Sequence, residues 1–250
     1  MKKSVMYVLL AVFIGVFAFS AYKLGSYWME KVRSDQALDG ASEFVDIVPG
    51  DENNDGKNNG DEQTAPEKIT VDFDALKAMN EDVVAWIYCP GTKINYPVLQ
   101  AEDNDYYLYR LMDGAENING SIFMDYRNDS ALSDGNTLIY GHHMRSGAMF
   151  AALIDYKSQS YYDKHPYIYI LTPTQNYRID LFAACLVDST SDIYTKEPTE
   201  AILRDCIARS YFDTDIDYPT GNVVTLSTCT YEYDDARFIV LGELVPMVEE

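Results

Sequence analysis

From Ser4 to Tyr22 the chain runs for 19 residues without a charged side chain, with Lys2 and Lys3 before the run and Lys23 after it. A stretch of this length and composition matches a helix that crosses a bilayer at near-minimal length, and the leading lysines place its N-terminus in the cytoplasm. A cleavable signal peptide is the competing interpretation, because Ala18-Phe19-Ser20 resembles a small-x-small cleavage site. The apolar run is longer than a usual signal core, which favours an uncleaved anchor. The expected organisation is thus a cytoplasmic N-terminus (1–3), a single transmembrane segment (4–22) and everything later on the extracellular side.

Leu24 to Leu38 suits a short helical stalk, after which the composition changes. Between Asp35 and Glu62 there are nine acidic residues against Lys57 alone, and Asp51 to Gly60 offers almost nothing to bury. Residues 23–68 are therefore expected to form a stalk and an acidic disordered linker. The spaced acids suggest a calcium loop, but no glutamate stands at the twelfth loop position, so a solvated linker is the better account. The net charge of −21 argues against nucleic acid and anionic lipid as partners.

About 180 residues remain, enough for one core, and a single domain is expected over 69–250. A helix is predicted near Asp72 to Asn80. Short β-rich segments follow, at Val83 to Cys89, Ser121 to Asp125, Thr137 to Tyr140, Tyr167 to Leu171 and Arg178 to Val187. Short strands punctuated by turns predict a mainly β domain, closed or nearly closed into a barrel with antiparallel and mixed pairing. Ile202, Leu203, Cys206 and Ile207 form a helical stripe after Pro198 that packs on a core.

Cys89, Cys185, Cys206 and Cys229 form no CxxC pair and the chain has no HExxH, so neither a zinc site nor any other metal or cofactor is expected. Cys89, Cys185 and Cys206 lie in apolar surroundings and read as small core residues. Cys229 differs. It ends the alternating run Asn222 to Cys229, whose polar face carries Thr225, Ser227 and Cys229. After a turn containing Asp234 and Asp235, Arg237 to Leu241 resumes a strand pattern, and a hairpin of this length brings Arg237 opposite Cys229. The same pair also fits an inert half-buried thiol beside an arginine bound to Asp234 or Asp235. A second element, Asn136 to Met144, is an apolar strand running into Gly141-His142-His143. Adjacent residues on an extended backbone point to opposite faces, so one imidazole at most serves a shared site.

Together these segments resemble the sortase family, class B. The resemblance rests on the TLxTC signature at Thr225 to Cys229, Arg237 downstream, and Tyr140-Gly141-His142-His143-Met144 with Gly147, Met149 and Phe150 after it. Phe73 to Leu76, Val84 to Ile87, Pro90 to Val98 and Gly120 to Arg127 extend it over about 71–246. It implies an eight-stranded sortase-type β-barrel with an N-terminal helix and a helix in the loop before the catalytic-cysteine strand.

It further implies a cysteine transpeptidase that cleaves a C-terminal sorting signal of secreted proteins through a thioacyl intermediate. The product is joined to a peptidoglycan amine in a Gram-positive cell wall. Cys229 would be the nucleophile, His142 the proton carrier and Arg237 the oxyanion partner. An unperturbed cysteine is only a few per cent thiolate at neutral pH, so such a site needs a cation or a base beside the thiol. Asn104, Leu108 and Ser227 match class B groove positions, with Ile193 and Tyr194 more loosely aligned. Neither a C-terminal hydrophobic anchor nor an Asp-Pro lid motif is present, features expected of pilus-polymerising class C enzymes. Cell-wall anchoring is preferred over the alternatives, a class B pilus-assembling sortase and an inactive tethered binding module.

Overall fold

The computed structural model of the chain describes residues 3–48, 68–230 and 232–247. Among these, helix α1 (Lys3–Ser42) is followed by strand β1 (Val45–Val48), β2 (Lys68–Val71) and helix α2 (Phe73–Met79). The barrel strands are β3 (Val83–Tyr88), β4 (Asn95–Leu99), β5 (Ile122–Met124), β6 (Asn136–Tyr140), β7 (Tyr167–Leu171), β8 (Asn176–Asp188), β9 (Val223–Cys229) and β10 (Ala236–Pro246). Helix α3 (Gln159–Tyr162) precedes β7, and α4 (Glu200–Ala208) lies between β8 and β9.

The eight strands close in the order β10-β8-β7-β3-β4-β5-β6-β9. The pairs β4–β5 and β6–β9 are parallel and the rest antiparallel. The expected mainly β, eight-stranded barrel with flanking helices is what the chain forms. Alternation decides which side chains enter it. Ile87, Val98, Met124, Ile139, Ile170, Leu181, Val224, Leu226 and Val240 fill the interior, joined by Phe150, Leu153 and Tyr156 from the 3-10 segment Phe150–Lys157.

Two further apolar clusters cover the outer wall. Trp86, Leu99, Phe123 and Leu171 pack against Leu76 of α2, Ile69 of β2 and Ala41 of α1. Asp72 starts α2 by accepting the Ala75 amide at 2.9 Å, as an N-cap acid should. On the opposite side Phe182, Ile239 and Leu241 receive Leu203 and Cys206 of α4. Cys89, Cys185 and Cys206 are buried free thiols, whereas Cys229 is half-buried.

The upstream segment departs from a stalk and linker. α1 continues without a break to Ser42, and its end docks on the barrel, where Ser34 is buried and Ala41 has no exposed surface. Leu38 packs against both the interior and the outer clusters. β1 pairs with β2, Val48 standing opposite Lys68. Ordered structure thus begins upstream of residue 69, because Phe44, Val45 and Ile47 have an apolar wall to cover. The acidic tract 51–60, expected to be a disordered tether, lies outside the described residues, between two strands that are already joined.

That register sets Val48 directly opposite Lys68 across the intervening 19 residues (49–67), the spacing a two-residue hairpin turn would close. Replacing them with Asn-Gly, the preferred two-residue hairpin turn, should leave the melting temperature unchanged or raise it, since a shorter loop costs less closure entropy. A clear fall in melting temperature would show that the segment supports the barrel.

Candidate active site

The outer wall of the barrel, at the ends of β6, β9 and β10, gathers the residues singled out by sequence. On β9, Val224 and Leu226 point inward, so Thr225, Ser227 and Cys229 share the outer face. Arg237 on β10 is the direct cross-strand partner of Cys229. Directly opposed residues project to the same face with Cβ atoms about 5 Å apart. Among the described residues, Arg237 makes no ion pair with Asp234 or Asp235; its Nη1 donates to its own neighbour's carbonyl, that of Ala236, at 3.0 Å. The alternative of a structural pairing with the turn acids therefore finds no support.

His142 arrives from the parallel neighbour. β6 pairs with β9 up to Tyr140 opposite Ser227. Beyond that, the Gly141 amide donates to the Ser227 carbonyl at 3.1 Å and the Thr228 hydroxyl donates to the Gly141 carbonyl at 2.7 Å. Gly141 is thus clamped to β9 from both sides, which sets His142 beside the end of the strand carrying Cys229. Any side chain at 141 would collide, since a Cβ there would lie 2.3 Å from Ile122 Cδ1 and 2.8 Å from Phe150 Cδ2.

The ring of His142 is fixed as well. Its Nε2 lies 2.7 Å from the Leu108 carbonyl oxygen, and because a carbonyl only accepts, Nε2 carries the proton. In the neutral imidazole Nδ1 is then the basic nitrogen. Tyr109 stands beside the ring with centroids 6.0 Å apart. The following loop closes on itself, the Phe150 amide donating to the His142 carbonyl at 3.0 Å and the Met149 amide to Tyr96 Oη at 3.0 Å. His143 forms an isolated bridge with Met149, within that loop closure.

The expected groove residues divide into different roles. Tyr194 Oη and Ser227 Oγ are hydrogen-bonded at 2.9 Å, so the loop before α4 lies over the polar face of β9. Burial pushes the Tyr194 phenol up to about 12 against the opposing effects of the Ser227 bond and of Arg237, whose field reaches it. Ile193 has no exposed surface and packs in the core under α4, while its carbonyl accepts from Asn136 Nδ2 at 3.1 Å. Its side chain is a floor and not a contact surface. Leu108 acts on His142 through its carbonyl. Asn104 has both ends of its amide committed, Nδ2 donating to Asp125 Oδ2 at 3.0 Å and Oδ1 accepting the Tyr126 amide at 3.0 Å.

Sequence reading missed Asp125, a carboxylate with no exposed surface that sits behind this cleft. It accepts Arg127 Nε at 2.8 Å, Arg127 Nη2 at 2.7 Å and Tyr140 Oη at 2.9 Å besides Asn104. Burial alone would raise its pKa, but the Arg127, Asn104 and Tyr140 hydrogen bonds outweigh it and hold the carboxyl at about 2. The only hint in the sequence was an acid directly after an apolar strand.

Comparison with known proteins identifies the family and the fold. The family model described as "Sortase domain" matches residues 87–245. A protein named Sortase B from Listeria monocytogenes is 32% identical over 244 residues, covering 94% of each chain. A crystal structure of sortase B from Bacillus anthracis, in complex with AAEK1, superposes with a TM-score of 0.70 at 29% identity, over 88% of this chain and 100% of that one. A Staphylococcus aureus sortase B–substrate complex superposes with a TM-score of 0.66 at 31% identity, over 70% of this chain and 85% of that one.

Two outcomes test the geometry. Gly141→Ala should lower the melting temperature by several degrees, because the new methyl forces Ile122 and Phe150 aside in a packed core at a cost of about 1–3 kcal/mol. An unchanged melting temperature would mean that the turn has slack. Asp125 should contribute to acid sensitivity: its folded pKa lies below the ordinary value of about 3.9, so its stabilisation is complete above about pH 5 and is lost as pH falls toward 2. The stability gap between the native chain and Asp125→Asn, measured by denaturant titration, should shrink by about 2 kcal/mol between pH 6 and pH 2. A gap independent of pH would contradict the assignment.

Proposed function

The chain belongs to the sortase family and is a sortase-type cysteine transpeptidase, and on that premise we propose that Cys229, His142 and Arg237 are its reacting groups. The observation that carries the proposal is the cross-strand pairing of Cys229 with Arg237 on the outer wall, next to an imidazole held by Gly141 and Leu108. Cys229 Sγ gives up its proton to His142 and attacks the carbonyl carbon of a threonine in the sorting signal of a secreted protein. The resulting oxyanion is met by the guanidinium fork of Arg237. His142 protonates the leaving amine, the C–N bond breaks, and a thioester on Cys229 remains. An incoming amine then attacks the thioester, His142 takes its proton, and the Cys229 thiolate leaves as the new amide forms. Water replaces the amine in simple hydrolysis.

The amine belongs, on this reading, to a peptidoglycan precursor, and the product is a protein attached to the cell wall. Supporting this placement, α1 contains the uncharged run Ser4 to Tyr22, whose side chains from Leu9 onward are all exposed in the isolated chain, as expected of a membrane-spanning segment. Lys2 and Lys3 at its start argue for a cytoplasmic N-terminus and an extracellular barrel.

A quenched-fluorophore library of pentapeptides with threonine fixed at the fourth position provides the test. Hydroxylamine serves as the trapping amine, because a thioester intermediate converts it to a peptidyl hydroxamate. Cys229→Ala should yield neither cleavage nor hydroxamate while keeping its fold. His142→Ala should lose a factor on the order of 10² or more in turnover, and His143→Ala should retain most of it. Arg237→Lys should lose roughly a hundredfold in kcat, about 3 kcal/mol, since lysine offers a point charge in place of a fork. Cleavage by Cys229→Ala, or the reverse ranking of the two histidines, would overturn the assignment.

A further inference from the structure

One carboxylate ties together segments that are far apart in the chain. Asp125 lies just past β5, on the outer face, with no exposed surface. Its Oδ2 accepts Asn104 Nδ2 at 3.0 Å from the loop after β4, and Tyr140 Oη at 2.9 Å from the end of β6, two residues before His142. Its Oδ1 accepts the Arg127 amide at 3.0 Å and Arg127 Nε at 2.8 Å. Arg127 in turn carries the connection across the cleft, because the same Nη2 that donates to Asp125 also lies 3.3 Å from the Tyr194 carbonyl. Tyr194 closes the circuit through its hydroxyl to Ser227 on β9, two residues before Cys229, and its ring stands 6.2 Å from that of Tyr140.

Between them these groups join three segments around the end of β9: the 104–108 loop, the end of β6 and the 191–197 loop. We propose that Asp125, acting with Arg127, is a positioning residue that sets the width of the peptide groove between the 104–108 loop and the 191–197 loop, and so governs how tightly the sorting peptide binds. The inference rests on the reading of Cys229 as the nucleophile beside that groove.

The physical reason is the geometry of acceptors. A carboxylate presents two oxygens that only accept, and five donor groups converge on them here: the Arg127 amide, Nε and Nη2, Asn104 Nδ2 and Tyr140 Oη. Asparagine would turn one of those oxygens into a donor. Whichever way its amide is rotated, it faces a converging N–H or O–H with another N–H, and either the Arg127 fork or the Asn104–Tyr140 pair must let go. The Cys229–Arg237 pairing, held by the β9–β10 ladder, is separate from this circuit, and the His142–Leu108 bond shares with it only the 104–108 loop, whose Leu108 carbonyl makes no contact with Asp125 or Arg127. Loss of the circuit should therefore weaken peptide binding more than it slows chemistry.

Two variants test this. Arg127→Gln removes the guanidinium that links Asp125 to Tyr194 from a partly exposed position, and Asp125→Asn removes the whole node; thermal melting of each variant first confirms that it is folded. With the library pentapeptide that the native chain cuts fastest, KM should rise about tenfold in each variant while kcat stays within about threefold, the pattern of lost binding common to ground and transition states. In Arg127→Gln, hydrogen exchange of the 191–197 amides should quicken while the β9 and β10 amides stay protected. An unchanged KM in folded Arg127→Gln, or a fall in kcat at constant KM, overturns the proposal. Should the native chain cut no pentapeptide, the transpeptidase reading of Cys229 fails on its own, and the hydrogen-exchange comparison still decides whether Arg127 and Asp125 hold the loop.

Discussion

Everything at the site depends on barrel closure through the parallel pairing of β6 with β9. A parallel pair aligns the C-terminal ends of two strands, so the residue following Tyr140 and the residue ending β9 emerge at the same rim although they lie almost ninety positions apart. The antiparallel β9–β10 hairpin then returns Arg237 to that rim. Side-chain parity does the rest. With Val224, Leu226 and Ile139 consigned to the interior, Cys229 and Arg237 must face outward. A slip of one residue in either register would bury the thiol and expose valine and leucine instead, which makes the hydrophobic core itself the guarantor of site geometry.

Holding polar groups on the outer wall of a barrel carries a cost, since each must be satisfied under the loop that covers it. Asn136 bears much of this load: its Oδ1 accepts the Thr225 hydroxyl at 2.9 Å, and its Nδ2 donates to the Ile193 and Thr195 carbonyls at 3.1 and 2.9 Å. The loop before α4 is thereby fixed over β9, and Tyr194 lands on Ser227. Asp125 does the same for the neighbouring loops. An isolated buried carboxylate would be untenable; one that receives a guanidinium, an amide and a phenol is a rigid joint. Asn136 and Asp125 thus hold these loops by hydrogen bonds.

Much of the barrel was legible because strands with one face inside alternate, and β3, β7, β9 and the helix α4 announce themselves by period. β4 was harder, its short run carrying Pro97 in the middle, and β8 extends further than its apolar stretch because Asn176 and Tyr177 continue pairing at the rim. Ile193 and Asn104 show what pattern and resemblance miss. Their positions in the chain say that they lie near the groove, but only the packing reveals that one is core and the other a brace. Asp125 was invisible for a related reason: a single acid after a strand has no periodicity, and its value lies wholly in its three partners, Asn104, Arg127 and Tyr140. The helix expected over Leu24 to Leu38 is part of α1, but its docking on the barrel was not legible because the docking residues, Ser34, Leu38 and Ala41, are small or spaced too sparsely to form an amphipathic stripe.

That last point changes the picture of how the barrel is carried. A helix of 40 residues is about 60 Å long, roughly twice the thickness of a bilayer's hydrocarbon core. Its first half exposes Phe13, Phe17 and Tyr22, and its last turns, through Ser34, Ala37 and Leu38, share the lining of a small cavity with Tyr96, Leu111 and Ile122, the helix running unbroken between the two. Asn117 Nδ2 adds a hydrogen bond to the Glu30 carbonyl at 2.9 Å, tying the helix to the loop that runs back to Leu108. With the exposed apolar half of α1 and the barrel on one rod, the site has a set height and a set orientation relative to the helix axis, fixed by the geometry of a single unbroken helix.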